Sequence, residues 1–290
     1  MNSHSAAKPS SALTGFVPTR PLRRSVRVRF PGGNGFELAG IVDAPEEPDD
    51  DAPVVVLSHC FTCSKDLKAI VRLGRALAGQ GTTVLRYDMT GLGQSDGDFS
   101  HTHFSSNLAD LNAAIAFASE RFGRVTGLLG HSFGGAASLA VAGEPDSFPK
   151  SIRSVATLAA PSDTSHLARL MVQKNPQIES QGHGDVVIGG RNWTIRQAML
   201  ADFRGHRLED AISRIEVPLM LLHSPVDATV GFDHAVRILQ LASQRRDDAA
   251  TPAVSLVALD GADHLLAENP SDLGYVAGLL SAFFWRHRTS

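Results

Sequence analysis

A 290-residue chain with 43% hydrophobic and 20% charged residues can bury a large core, and its balance is that of a globular protein rather than a disordered or fibrous one. The net charge of −3 leaves no basic footprint and argues against nucleic acid as a main partner. No apolar stretch reaches membrane-spanning length, and two cysteines, Cys60 and Cys63, are too few for a secreted-type disulfide framework. A cytoplasmic location and no membrane partner are therefore expected.

Residues 1–21 are rich in Ser, Ala and Pro and are expected to be disordered. Arg23-Arg24 is followed by no apolar segment, so an export signal is not indicated. Arg27 and Arg29 alternate with Val26, Val28 and Phe30, the pattern of a strand with one solvated face. Strands Ser25–Phe30 and Phe36–Val42 flank Pro31-Gly32-Gly33-Asn34-Gly35 and read as an antiparallel hairpin. An acidic run, 46–51, is an exposed loop between Pro45 and Pro53.

Strand–helix alternation follows: strand Val54–Ser58, a helix over 65–78, strand Thr83–Tyr87, helix Ser105–Phe122, strand Val125–Gly130, helix Phe133–Ala142 and strand Ser154–Ala160. After a long interruption come strand Pro218–His223, a helix near His234–Leu241, strand Val254–Leu259 and a closing helix over 270–286. Continuous apolar runs such as Val54–Ser58 suit strands buried on both faces. The alternation predicts an α/β fold: a mostly parallel eight-stranded sheet with helices on both faces. Residues 22–161 and 215–288 form the predicted core. Residues 162–214 are too long for a simple crossover and are expected to be a small cap or lid, with a hairpin around Gly184–Gly190 and Asn192–Ile195.

Chemistry concentrates where strands end, the place where open α/β sheets bind ligands. Gly130-His131-Ser132-Phe133-Gly134 is a G-x-S-x-G pentapeptide at a strand-to-helix turn, where a serine hydroxyl is pushed out above the sheet. Asp227 follows strand Pro218–His223, and His264 follows Val254–Leu259. The chain order Ser, Asp, His is that of α/β-hydrolases. In this reading His264 takes the proton of Ser132 as it attacks an acyl carbon and passes it to the leaving group. Asp227 holds the imidazole tautomer, with Asp163 as the rival acid. The backbone N–H groups of Phe133 and Phe61 are the expected oxyanion-hole donors. His59, Cys60, His131 and Trp193 are candidate pocket residues, with His131 expected to give packing support. Met171, Ile188, Met199 and Phe203 of the insertion are further candidates for the apolar lining or for ordinary cap packing.

Cys60-Phe61-Thr62-Cys63 is ambiguous. C-x-x-C beside a β–α unit suggests redox chemistry or half of a metal site. With no second such motif and only His59 adjacent, no metal is expected. The cysteines are expected to be small buried residues framing the oxyanion loop, with reversible oxidation as the alternative. Asp88 is expected to brace its loop; the glycines at 91 and 93 miss dinucleotide-binding spacing, and no cofactor is expected.

These phrases give the chain its resemblance to the α/β-hydrolase superfamily over residues 22–288. The segments His59–Leu67, Thr90–Phe99, Gly130–Gly135, His223–Asp227 and Leu259–Leu266 are similar to the hydrolase portion of bifunctional α/β-hydrolase/OsmC proteins. The resemblance implies the same triad of Ser132, Asp227 and His264. It also implies an OsmC-type redox protein as a candidate partner, the OsmC domain itself being expected to be absent. Where many members carry His-Gly before the oxyanion residue, this chain has Cys60, expected to narrow the pocket. The expected activity is hydrolysis of small to medium acyl esters, with thioesters open to the same machinery. A peptidase of the same fold and a non-catalytic binding protein are the alternatives.

Overall fold

Runs of residues that are apolar on both faces build the centre of the sheet. The computed structural model describes residues 23–47, 49–144, 146–244 and 252–289; the expected disorder of 1–21 concerns residues outside that set. The hairpin β1 (Arg23–Pro31) and β2 (Glu37–Pro45) comes first, then β3 (Val54–Ser58), α1 (Lys68–Ala78), β4 (Thr83–Tyr87), α2 (Phe104–Phe122), β5 (Gly127–His131), α3 (Phe133–Ala142) and β6 (Ser154–Leu158). The interruption holds α4 (Ser165–Lys174), α5 (Gln177–Gln181), β7 (His183–Ile188), β8 (Arg191–Arg196), α6 (Gln197–Gly205) and α7 (Leu208–Ser213). The chain closes with β9 (Leu219–His223), α8 (Phe232–Ala242), β10 (Val254–Ala258) and α9 (Pro270–Arg286).

Among the described residues the main sheet has eight strands in the order β1-β2-β4-β3-β5-β6-β9-β10. The hairpin and the β2–β4 pair are antiparallel, and the remaining pairs are parallel. Every residue of β3, β4, β5, β6 and β9 is buried, as sheets covered on both faces require. One face carries α1 and α9, whose Leu73, Leu77, Val276 and Leu280 pack onto Val55 and Leu57. The other carries α2, α3, α7 and α8, and α3 is buried along its whole length.

Several boundaries differ from the sequence expectation, β2 running on to Pro45 and β5 spanning Gly127–His131 among them. Two of the differences have a physical reason in the neighbouring contacts. The helix expected from Lys65 begins at Lys68, because Lys65 is drawn out of helical geometry: its carbonyl accepts from Arg86 Nη1 at 2.6 Å and its own N–H donates to Asp88 at 2.6 Å. The strand expected through Ala160 stops at Leu158, because Ala159 takes a φ of 53°, which a strand cannot contain. On the edge strand β1 the alternation is also incomplete. Phe30 is buried, but Val26 is 46% exposed among the described residues, at the start of an edge strand.

The interruption between β6 and β9 lies over the carboxyl ends of the strands. β7 and β8 pair antiparallel about Gly189 and Gly190, whose φ values of 58° and 77° suit a tight hairpin turn. Phe203 of α6 is fully buried against the rings of Phe61 and Phe133, worth about 2–3 kcal/mol. Asp202 accepts from the N–H and hydroxyl of Ser105 at the start of α2, tying the inserted segment to the sheet's covering helices. No helix among the described residues is long and apolar enough to cross a membrane.

Candidate active site

The turn from β5 into α3 is made by Ser132, at φ 52° and ψ −115°. A non-glycine residue in this region carries strain of order 1–3 kcal/mol, and its surroundings hold it there. Ser132 N–H donates to the Leu158 carbonyl at 2.8 Å, and the Ser132 carbonyl accepts from Gly135 and Ala136 at 2.9 and 3.1 Å. Glycines let the helix approach this closely. A Cβ on Gly130 would lie 2.2 Å from the Gly134 carbonyl oxygen, and one on Gly134 would lie 2.4 Å from that of Ser58. The other described non-glycine residues with positive φ are Thr62, Ala159 and Leu266. Each follows the end of a strand on this side of the sheet, so backbone strain collects around one place.

Asp227 sits in the loop after β9. Its Oδ1 accepts from the N–H groups of Thr229 and Val230 at 2.8 and 3.0 Å, and its Oδ2 accepts from His264 Nδ1 at 2.7 Å. Burial pushes the Asp227 carboxyl up, but the His264 contact and the Val230 and Thr229 donors outweigh it and hold the pKa below the ordinary carboxylate range. Asp227 is thus a carboxylate, and the bond it accepts fixes the His264 proton on Nδ1 and leaves Nε2 as the basic nitrogen. His223, whose Nε2–H donates to the Val230 carbonyl at 2.8 Å, holds the same loop from below. The rival acid, Asp163, accepts from the His166 N–H at 2.7 Å and lies 3.7 Å from Arg169; it caps the start of α4, and the carboxylate hydrogen-bonded to His264 is that of Asp227.

The His264 loop has its own supports. Asp263 accepts from Leu265, Ala267 and Glu268 N–H groups at 3.1, 2.7 and 2.9 Å. His131, beside the serine, donates from Nε2 to the His264 carbonyl at 2.8 Å. Burial, with His264 close by, pushes the His131 pKa down to about 3, so the ring is neutral; its buried Nδ1 has no hydrogen-bond partner among the described residues.

Facing Ser132 is the loop after β3. His59 is buried; its Nδ1–H donates to the Cys60 carbonyl at 2.8 Å and its Nε2 accepts from Met89 N–H at 3.2 Å. Cys60 and Cys63 are joined as a disulfide with Cα atoms 5.4 Å apart, where sequence reasoning expected two small buried side chains. Cys60 is buried and Cys63 is half-buried. The loop's far end is fastened by a buried ionic network that sequence reasoning touched only through Asp88. Lys65 Nζ lies 2.8 Å from Asp88 Oδ2, and Arg86 Nε lies 2.7 Å from Asp43 Oδ2.

Ser132, Asp227 and His264 share the wall of one cavity of about 1040 Å³. Cys60, Phe61, Phe133 and Trp193 also line it, as do Met171 and Ile188 from the inserted segment. Met199 and Phe203 are buried in the core behind it. His59 and His131 are likewise buried and stand behind the wall, where they brace loops instead of meeting a ligand. The signals that sequence reasoning missed were long-range partners: the Lys65–Asp88 and Arg86–Asp43 pairs link residues 23 and 43 positions apart.

The family model described as alpha/beta hydrolase fold matches residues 53–185. The chain is similar to the esterase domain of a Rhodothermus marinus protein, with 36% identity and a TM-score of 0.67 over 92% of this chain and 100% of that one. It is similar in fold to Est1E from Butyrivibrio proteoclasticus bound to ferulic acid, at 21% identity and a TM-score of 0.74 over 90% of this chain and 99% of that one. A Pyrococcus furiosus esterase aligns at 16% identity and a TM-score of 0.67, over 99% and 100% of the two chains. No curated protein matches the sequence.

Proposed function

The chain belongs to the α/β-hydrolase superfamily, and from that membership we propose that it is a serine esterase that cleaves small to medium acyl esters through an acyl-enzyme on Ser132. The observation that carries this reading is the 2.7 Å contact between His264 Nδ1 and Asp227, with both residues on the same cavity wall as the strained Ser132. His264 Nε2 accepts the Ser132 proton as Oγ attacks the acyl carbon, and the proton passes to the departing alcohol. Water then enters by the same route, His264 again serving as base, and releases the acid. Asp227 keeps the imidazole oriented and stabilises the imidazolium.

Charge developing on the carbonyl oxygen is met by the N–H of Phe133, at the start of α3 where the helix dipole favours an anion, and by that of Phe61. Residues 22–161 and 215–288 form the hydrolase core in this reading, and 162–214 is a lid whose Met171, Ile188 and Trp193 set the acyl pocket. A cavity of about 1040 Å³ is at the upper end of what drug-sized ligands occupy, and Phe61, Phe133 and Trp193 give it an aromatic wall. The relative captured with ferulic acid adds an aryl-bearing acyl group to the series worth testing. Thioesters fit the same chemistry, since the triad does not choose the leaving group.

Steady-state assay of p-nitrophenyl esters from acetyl to decanoyl, with a hydroxycinnamoyl ester beside them, tests the reading. Turnover by the wild type and its loss in Ser132→Ala are expected. Equal turnover in both proteins, or none in the wild type, contradicts it.

A further inference from the structure

A chemically reactive pair that this mechanism leaves unused lies within the substrate cavity. Cys60 and Cys63 are disulfide-bonded, both line the cavity wall that carries Ser132 and His264, and they bracket Phe61. We propose that the Cys60–Cys63 disulfide is a thiol–disulfide exchange site for a low-molecular-weight thiol entering through the cavity, and that its opening lowers turnover by releasing the Phe61 N–H. The coupling rests on the proposed oxyanion role of Phe61; the exchange itself does not.

Access decides which sulfur reacts. Cys63 is half-buried, whereas Cys60 is 5% exposed, so an incoming thiolate meets Cys63 Sγ first. The thiolate bonds to Cys63 Sγ, the Sγ–Sγ bond breaks, and Cys60 departs as a thiolate that takes up a proton. A second thiol then attacks the sulfur of the small molecule in the mixed disulfide. That step frees Cys63 as a thiol and releases the small-molecule disulfide. Two thiols are oxidised and one protein disulfide is reduced, and the small-molecule disulfide reverses the sequence.

The loop transmits this change over a short distance. Within the four-residue ring Thr62 is held at a φ of 58°, a conformation a β-branched residue leaves when released, and the Cys63 N–H donates to the Cys60 carbonyl at 3.2 Å. Both flanks are fixed independently. His59 bridges the Cys60 carbonyl and the Met89 N–H, and Lys65 is bound to Asp88. Opening the ring loosens residues 61–63 and withdraws the Cys63 N–H from the Cys60 carbonyl. The planar Cys60–Phe61 peptide that carries the Phe61 N–H is then held by His59 and no longer by Cys63, and it can tilt while the fold stays in place. Phe61 is the oxyanion donor among them, so the loss falls on kcat and not on KM.

The test uses the purified full chain, oxidised and after 2-mercaptoethanol or dithiothreitol, with free thiols counted and the 60–63 peptide weighed in each state. The expected results are two free thiols after dithiothreitol, a 2-mercaptoethanol adduct on Cys63, and kcat lower by about tenfold to a hundredfold with KM little changed, given what a misplaced donor costs. Activity should return on reoxidation, and the Cys60→Ser/Cys63→Ser protein should not respond to reductant. A thiol count that stays at zero, or an adduct on Cys60 alone, overturns the exchange site. Two thiols with unchanged kcat, or an equal fall in the double variant, overturns the coupling. If no ester is turned over in either state, the esterase reading fails and the thiol count alone decides the exchange.

Discussion

Replacing Lys65 by Met removes one charge from the interior while keeping most of the side chain's volume. Lys65 is 1% exposed and its partner Asp88 is fully buried, with Nζ at 2.8 Å from Oδ2. After the change Asp88 keeps the N–H donors of Lys65's own backbone position and of Gln94, at 2.6 and 2.8 Å, but has no counter-ion. Breaking a buried pair from one side costs about 3–5 kcal/mol, whereas an exposed pair costs about 0–1. At about 2 °C per kcal/mol for a chain of this size, the melting temperature should fall by about 6–10 °C. Urea unfolding should give a lower midpoint with an unchanged slope. Since Lys65 fastens the far end of the 60–66 loop, kcat should fall as well at temperatures where the variant stays folded. A loss below about 1 kcal/mol, the size of a surface pair, would refute the role given to this network.

Asp227→Asn should lower kcat by about three to four orders of magnitude through the wrong imidazole tautomer, while Asp163→Asn leaves it near wild type; steady-state ester kinetics separate the two. His131 sets a pH dependence. Its folded pKa of about 3 lies below the unfolded value of about 6.5, so the unfolded chain takes up the proton first. Its share of the stability is complete above pH 6.5 and is lost as the pH falls toward 3. Between pH 7 and pH 5 that loss is about 2 kcal/mol, and urea titrations of His131→Gln should show a fall smaller by this amount. Gly134→Ala places a Cβ 2.4 and 2.6 Å from the Ser58 and His59 carbonyl oxygens. Both are backbone atoms, so α3 must shift with its Phe133 N–H; about 1–3 kcal/mol of stability and at least tenfold in kcat should be lost by denaturation and kinetics.

The sheet was legible because β3 and β9 carry nearly continuous apolar runs, Val54–Leu57 and Leu219–Leu222, and residues buried on both faces announce themselves without any tertiary knowledge. Strands β5 and β6, which mix in Gly, Ser and Thr, were legible from their place in the strand–helix alternation. The candidate site was legible because Ser132, Asp227 and His264 each follow a strand end. What the sequence hid is long-range. Nothing local says that Lys65 leaves its helix for Asp88, 23 positions on, or that Ala159 takes a positive φ and cuts its strand short. His131 read as packing support and acts through one bond, to the His264 carbonyl 133 positions away. The spacing of Cys60 and Cys63 suits thiols and a disulfide equally, and only the folded loop shows the pair joined.

Acyl transfer at Ser132 is tested most directly by the mass and position of the adduct left by a fluorophosphonate ester. One adduct on the peptide carrying Ser132, absent in Ser132→Ala and formed far more slowly in His264→Ala, is the expected result. An unlabelled protein, or an adduct on another serine with Ser132 untouched, would contradict it.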